Sequence, residues 1–371
     1  MEILLSDRPG AAVIPAMKQR SWSWTKRIIL SRWYGLRVQL AGPSEKRFRF
    51  YPAARPFLKG GFPTGEAEIP QGGCLTYRPN PVAGIGHQSS AWITAHNLAQ
   101  ALGLTFVHRP LDPEWDDFLG LPIGEQSFTD PRVTGLRRIS LPRFAGEEPF
   151  DRRHPIAHIV ARELRKGPCL FFTEYDQASF DLSPARAALH RKFFAAHPEL
   201  APGASPGGSL RVALHVRRGD IIGLKDARTD LKYSRFLPEA YYIGLADTLR
   251  RSVTSRPLEF HIFSDGSATD LPEISRSLPG AVWHLDASAQ ETFRELCQAD
   301  ILAVGRSGFS FLAGLINPGI KISTTPWWHK IPDTADWLQV AINGETGMYS
   351  FQDLADQLKM IAPEFRTPTP L

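Results

Sequence analysis

The chain has 371 residues, 43% of them hydrophobic and 22% charged, which is the composition of a folded protein with room for about two or three domains, not of a disordered one. A formal net charge of +5 suits an acidic small ligand or an anionic surface, and no Lys/Arg block or nucleic-acid motif accompanies it, so nucleic acid is not an expected partner. Three dispersed cysteines, Cys74, Cys169 and Cys297, exclude a disulfide framework and point to a reducing compartment. No CxxC or HExxH pair suggests a metal. No apolar run approaches the ~18–20 residues of a membrane span, and the opening segment, with Glu2, Asp7 and Pro9, lacks the basic-then-apolar pattern of a signal peptide. The expectation is a soluble cytoplasmic protein.

In chain order, Ser21–Leu40 mixes Trp22, Trp24, Trp33 and Tyr34 with Lys26, Arg27, Arg32 and Arg37. Such a mixture reads as strands with core-facing aromatics, and it leaves peripheral membrane association open. Tyr51–Arg78, rich in Pro and Gly, reads as loop with short strands. The glycine-rich turn Gly84-Ile85-Gly86-His87-Gln88 opens a helical pattern in which Ala91, Ala95, Leu98, Ala99 and Leu102 share a face. Gly103 ends that helix, and Leu104–His108 reads as a strand. A turn of this kind either packs tightly or brings backbone N–H groups to a phosphate or sugar.

Asp112–Asp151 reads as irregular, Ile156–Arg165 as helix and Cys169–Thr173 as a buried strand. Ser183-Pro184 has the form of an N-cap and first helical residue for a helix through Ala196. Residues 198–209, with Pro202, Gly203, Pro206, Gly207 and Gly208, form the best linker candidate. Beyond it, strands at Leu210–Val216, Leu258–Phe263, Ala281–His284, Ile301–Val304 and, as the last strand, Ile320–Ser323 alternate with helices at Pro238–Val253, Leu271–Leu278, Gln290–Ala299 and Phe309–Ile316. A last helix is expected at Gln352–Ile361, before a Pro-rich tail read as disordered. Alternation of this kind implies a parallel sheet wound on both faces.

Three strand exits carry the polar groups. The first runs from His215 through Arg217-Arg218-Gly219-Asp220. The second is Ser264-Asp265-Gly266, and the third is Gly305-Arg306-Ser307-Gly308-Phe309-Ser310. In a parallel sheet these exits share one edge, where ligands bind. Arginine forks suit diphosphate oxygens, and the third exit starts a helix, an anion-binding end. Each piece also has a purely structural explanation: an Arg–Asp surface pair, a capped turn, a helix cap.

HVRRGD, an FSD followed by a helix, and ADILAVGRSGFSFLAGLI occur here in the order and rough spacing of α1,2- and α1,6-fucosyltransferases and their protein O-fucosyltransferase relatives. GIGHQ also looks like their glycine-rich amino-terminal element, so that the resemblance spans residues 84–321. It implies an α/β, GT-B-like fold with two Rossmann-like domains facing across a cleft. Residues 1–200 would form the amino-terminal, acceptor-side domain, 201–209 the linker, 210–350 the nucleotide-sugar domain, and 351–371 a terminal helix and tail. It further implies an inverting transfer of fucose from GDP-fucose to a glycan or glycolipid hydroxyl, with no metal or other cofactor required. By position, Arg217 and Arg218 match the arginines of a motif closed by Asp220, at least one of which would grip the diphosphate, and His215 and Asp265 would lie near the guanine. Ser307, Gly308, Ser310 and Phe311 would close on the phosphates, while Gly84, Gly86, His87 and Gln88 would face the cleft. His87 stands where relatives of the α1,2 type have Asn; it is a candidate general base, and it leaves open another nucleotide sugar or a non-catalytic nucleotide- or glycan-binding module. The absence of any D-x-D sequence agrees with a metal-free transfer.

Overall fold

A computed structural model describes residues 51–80, 83–143, 151–173, 181–200, 208–219, 221, 235–285, 287–343 and 348–361. Ser21–Leu40, most of the linker (201–207) and the tail from 362 lie outside the described residues. Among the described residues no helix is long and apolar enough to cross a membrane.

The amino-terminal part builds β1 (Gly73–Tyr77), α1 (Ile85–Leu102), β2 (Thr105–His108), α2 (Pro113–Leu119), β3 (Gln126–Ser127), α3 (Pro131–Thr134), β4 (Arg137–Ser140), α4 (Pro155–Leu164), β5 (Cys169–Thr173) and α5 (Arg186–Ala196). Its five strands are all parallel, in the order β3-β2-β1-β5-β4. β5 is buried at every residue, as expected of an uninterrupted apolar run covered on both faces. α1 starts at Gly84 and stops at Gly103, whose φ of 67° only glycine adopts without cost.

The carboxy-terminal part builds β6 (Leu210–His215), α6 (Glu239–Ser252), β7 (Leu258–Phe263), α7 (Pro272–Ser277), β8 (Val282–His284), α8 (Ala289–Gln298), β9 (Ile301–Ala303), α9 (Gly308–Ile316), β10 (Ile320–Thr325), β11 (Trp337–Ile342), β12 (Tyr349–Ser350) and α10 (Gln352–Ile361). The order is β12-β11-β10-β9-β6-β7-β8, parallel except for β12. The chain therefore winds outward from β6 through β7 to β8, then returns to the other side of β6 with β9. That reversal between β6 and β9 is where an open α/β sheet presents a crevice.

Four sequence expectations are corrected. Tyr51–Arg78 contains β1, the middle strand of the amino-terminal sheet, with four of its five residues buried; flanking Pro and Gly concealed it. Asp112–Asp151 is not irregular throughout: it holds α2, β3, α3 and β4, each too short to show a period. Their caps were the available clue, since Asp112 and Asp130 each precede a Pro and accept backbone N–H bonds. Ser183 is not the cap of α5, which begins at Arg186 after a single 3₁₀ turn over Ser183–Ala185. Ile320–Ser323 is not the last strand, because β11 and β12 follow it.

The two sheets share one apolar core. α9 packs on α1 and α5, and rings from both parts interlock there. Trp115 meets Phe118, Phe293 and Phe309 edge-on at 5.2, 5.7 and 6.2 Å, and Phe193 meets Phe293 at 6.0 Å. Polar ties reinforce the contact: Arg186 and the fully buried Lys321 both bond Asp336, and Lys330 reaches Asp181 at 2.9 Å. Because Phe293 is wholly buried at the centre of this ring cluster, Phe293→Ala is expected to cost about 3–5 kcal/mol, read as a lowered urea midpoint.

Candidate functional site

The site is assembled from strand exits. β10, β9, β6 and β7 are neighbours in the sheet, and their carboxyl ends deliver Trp328 and His329, Ser307 and Gly308, His215 and Arg217, and Ser264 and Asp265 to one cleft of about 710 Å³. Across it stands the start of α1, with Gly84, Ile85, Gly86, His87 and Ser90 in the lining. α1 begins at the carboxyl edge of its own sheet, so two parallel, doubly wound sheets turn their ligand-binding edges toward one opening. This is the GT-B-like arrangement.

The starts of α1 and α9 touch. A Cβ built on Gly86 would lie 2.3 Å from the Gly308 carbonyl carbon and 2.5 Å from the Phe309 nitrogen. Only glycine permits that approach, and it brings the positive ends of two helix dipoles to one place. Ser307 caps α9, its Oγ accepting from the Phe309 N–H at 3.3 Å. Arg217 and Arg235 add full positive charges to the lining, in which Asp265 is the sole carboxylate among the described residues. A field of this sign in a recessed opening favours a polyanion.

The two arginines of the motif part company. Arg217 lines the cleft. Arg218 is 2% exposed and points into the protein. Its Nη1 donates to the Arg217 and Leu237 carbonyls at 2.9 and 3.0 Å, and its guanidinium lies 4.5 Å above the Phe236 ring. The Arg218 backbone N–H donates to Asp265 Oδ1 at 2.7 Å, tying the β6 exit to the β7 exit. Gly219 follows so closely that a Cβ there would stand 2.4 Å from Asp265 Oδ2.

Ser310 and Phe311 also stand behind the wall. Ser310 is fully buried and donates to the Gly305 and Ser307 carbonyls. Phe311 is a core residue stacked on His329 at 4.4 Å. Asp220 lies outside the described residues. Gln88, expected to face the cleft, is instead buried at the start of α1, where its Nε2 donates to the Ala83 carbonyl at 2.8 Å. Gly84, Gly86, His87, His215, Asp265, Ser307 and Gly308 share the cleft with Arg217. Sequence reasoning missed Arg235, Trp328 and His329. The last two follow a strand exit and were discoverable by the same rule. Arg235 lies between elements, with no pattern to mark it; it sits 5.7 Å from the Trp328 ring.

Two imidazoles of the lining are held neutral. Burial lowers His215 to about 4, with Arg217 adding to the effect and Asp265 opposing it. Burial lowers His329 to about 3, reinforced by His87. The Nδ1 atoms of both are buried without a hydrogen-bond partner among the described residues. Among those residues no group of three or more His, Cys, Asp or Glu stands together as metal ligands would.

No family model and no curated protein matches the chain. Solved structures do. POFUT1 in complex with GDP-fucose matches at 13% identity over 69% of this chain and 96% of that chain, with a TM-score of 0.38. Fucosyltransferase NodZ from Bradyrhizobium matches at 17% identity over 69% and 94%, also with a TM-score of 0.38. E. coli heptosyltransferase WaaC with ADP matches at 11% identity over 78% and 100%, with a TM-score of 0.36.

Two outcomes follow from this geometry. Gly86→Ala forces the two helix starts apart and is expected to cost about 1–3 kcal/mol and to weaken ligand binding, as melting curves with and without ligand will report. His329 is depressed on folding, so the native state holds fewer protons than the unfolded chain below the ordinary imidazole value. Its contribution is therefore intact above about pH 6.5 and is lost as the pH falls toward 3, at about 1.4 kcal/mol per unit. Urea unfolding at pH 7 and pH 5 should show a smaller difference for His329→Gln than for the wild type.

Proposed function

We propose that the chain is an inverting, metal-independent glycosyltransferase that moves fucose from GDP-fucose to a glycan or glycolipid hydroxyl, with residues 210–350 holding the donor and residues 1–200 presenting the acceptor. The observation that supports it most is the meeting of Arg217 with the starts of α1 and α9 at the strand reversal between β6 and β9. The HVRRGD motif supplies that arginine.

In this reading the acceptor oxygen attacks the anomeric carbon from the face opposite GDP. The carbon–oxygen bond to the diphosphate breaks, and its electron pair leaves with GDP through an oxocarbenium-like transition state. Negative charge grows on the departing diphosphate. Arg217 meets it with two parallel N–H bonds, and the start of α9 meets it with oriented backbone dipoles. Both are fixed before the reaction begins. Asp265 stands beside them as an acceptor for the base or ribose of the nucleotide. His87, on the α1 side, is the residue we assign to take the acceptor proton. Arg218 is a positioning residue: it holds Asp265 and the Arg217 carbonyl in place and does not touch the donor.

This division of labour is testable with two variants and a nucleotide panel. GDP and GDP-fucose should raise the melting temperature, by an amount that grows with concentration over Kd, and UDP should not; a shift with UDP and none with GDP would overturn the donor assignment. Arg217→Ala should lower transfer from labelled GDP-fucose about 10²–10³-fold with the melting temperature unchanged. Arg218→Ala should lower the melting temperature as well as transfer, because it strips a buried anchor.

A further inference from the structure

We infer that His329 holds the sugar being transferred by donating a hydrogen bond from its Nε2–H, and that it takes no part in removing the acceptor proton. This rests on the transferase reading above and extends it to how the sugar is gripped.

The ring is held from three sides. It stacks on Phe311 with centroids 4.4 Å apart and planes 4° from parallel, Trp327 stands edge-on at 4.9 Å, and Trp328 leans against it at 5.4 Å. These neighbours are themselves anchored. Phe311 belongs to α9, and Arg306, only 2% exposed, donates to the Pro326 carbonyl at 2.7 Å, just before Trp327. An imidazole packed in this way keeps one orientation. His329 is buried, yet it lines the cleft. Its Nδ1 lies in the enclosed part, without a hydrogen-bond partner among the described residues. Nε2 is not enclosed in that way, so the edge of the ring that meets the cleft is the one bearing it.

That placement fixes the tautomer. Which imidazole nitrogen carries the proton is set by what the other one meets. A proton on Nδ1 would be a buried donor facing aromatic rings with nothing to accept it, an orphan that folded proteins rarely keep. The proton therefore rests on Nε2, and the cleft meets a neutral N–H donor. A general base needs the reverse: an electron pair on the nitrogen facing the substrate, and an acceptor behind the other nitrogen to steady the imidazolium that forms. His329 has neither. The charges around it do not favour an imidazolium. His87, on α1, acts on it with like sign, and Lys330, the next residue, is turned to Asp181 at 2.9 Å. Burial weakens its hold on a second proton further.

The order of the strands says which part of the donor it meets. Along the carboxyl edge the exits run β7, β6, β9, β10. Asp265 follows β7, Arg217 follows β6, Ser307 and Gly308 follow β9, and His329 follows β10. A donor with its nucleoside at Asp265 and its diphosphate at Arg217 and the start of α9 points its sugar toward β10. There one imidazole, His329, donates to a sugar hydroxyl, and the other, His87, receives the acceptor proton. A neutral His329 serves that division, since a second cation nearby would oppose the charge that His87 takes on.

Two measurements on the full-length protein test the assignment. Nitrogen NMR of the imidazole rings, with the His329 signals identified by their loss in His329→Gln, should show a neutral ring protonated on Nε2 at pH 7 and still at pH 5. Binding of GDP and of GDP-fucose, without acceptor, is then compared for the wild type, for His329→Gln, which keeps an N–H in the place of Nε2, and for His329→Met, which has the length of Gln and no donor. GDP should bind all of them alike. GDP-fucose should bind His329→Gln as it binds the wild type, and His329→Met about three- to tenfold more weakly, the size of one neutral hydrogen bond. Transfer by His329→Gln should keep the pH dependence of the wild type. A proton on Nδ1, an imidazolium at pH 5, equal GDP-fucose affinity in the Met and Gln variants, or an altered pH dependence in His329→Gln would each overturn the inference. If GDP binds neither the wild type nor the variants, the donor reading fails and takes the sugar contact with it, while the tautomer is read from the rings regardless.

Discussion

The contact between Gly86 and Gly308 is the constraint on which the rest of the architecture turns. Two helices from two different sheets meet end to end, backbone against backbone, with no room for a side chain between them. Everything that lines the cleft is referred to that point. Gly84, Ile85 and His87 approach from one sheet, and Ser307 and Phe309 from the other. A helix start carries partial positive charge in its unsatisfied N–H groups. Joining two such ends is unfavourable by itself, and the aromatic cluster around Phe293 together with the Asp336 ion pairs supplies the compensating attachment. The repulsion is thereby held in place at the floor of the cleft.

The Arg217–Arg218 pair shows how one short motif divides two tasks. Strand alternation sends neighbouring side chains to opposite sides, so adjacent arginines at a strand exit do not reach for the same object. Arg217 turns to the opening, while Arg218 turns inward, is buried and acts on its surroundings. Through its backbone N–H and guanidinium it fixes Asp265, the Arg217 carbonyl and Leu237 relative to one another. A buried guanidinium is expensive, and two carbonyls and an aromatic face offset part of that cost. The same logic applies to Ser310 and Phe311, which support the turn before α9 from behind: one closes its hydrogen bonds, the other anchors it against His329.

Much of this was legible from the chain alone, wherever a physical rule acts over a few residues. Alternating apolar residues gave β6 and β7, the 3.6-residue period gave α1 and α6, and Gly103 ended α1 because its left-handed φ disfavours a side chain. The placing of the three polar exits on one edge followed from parallel winding. The same rules failed on β1, hidden among Pro and Gly, and on the short elements between Asp112 and Asp151, where no period has length to appear. Sequence determined which residues leave the strands, since side-chain period and turn chemistry are local. Only the tertiary structure decided which way each side chain faces. It turned Arg218 inward and Arg217 to the opening, buried Ser310 and Phe311 behind the wall, and brought Arg235 to the cleft. Alternation says that neighbours part but not which one faces in, and the choice comes from packing between segments far apart in the chain.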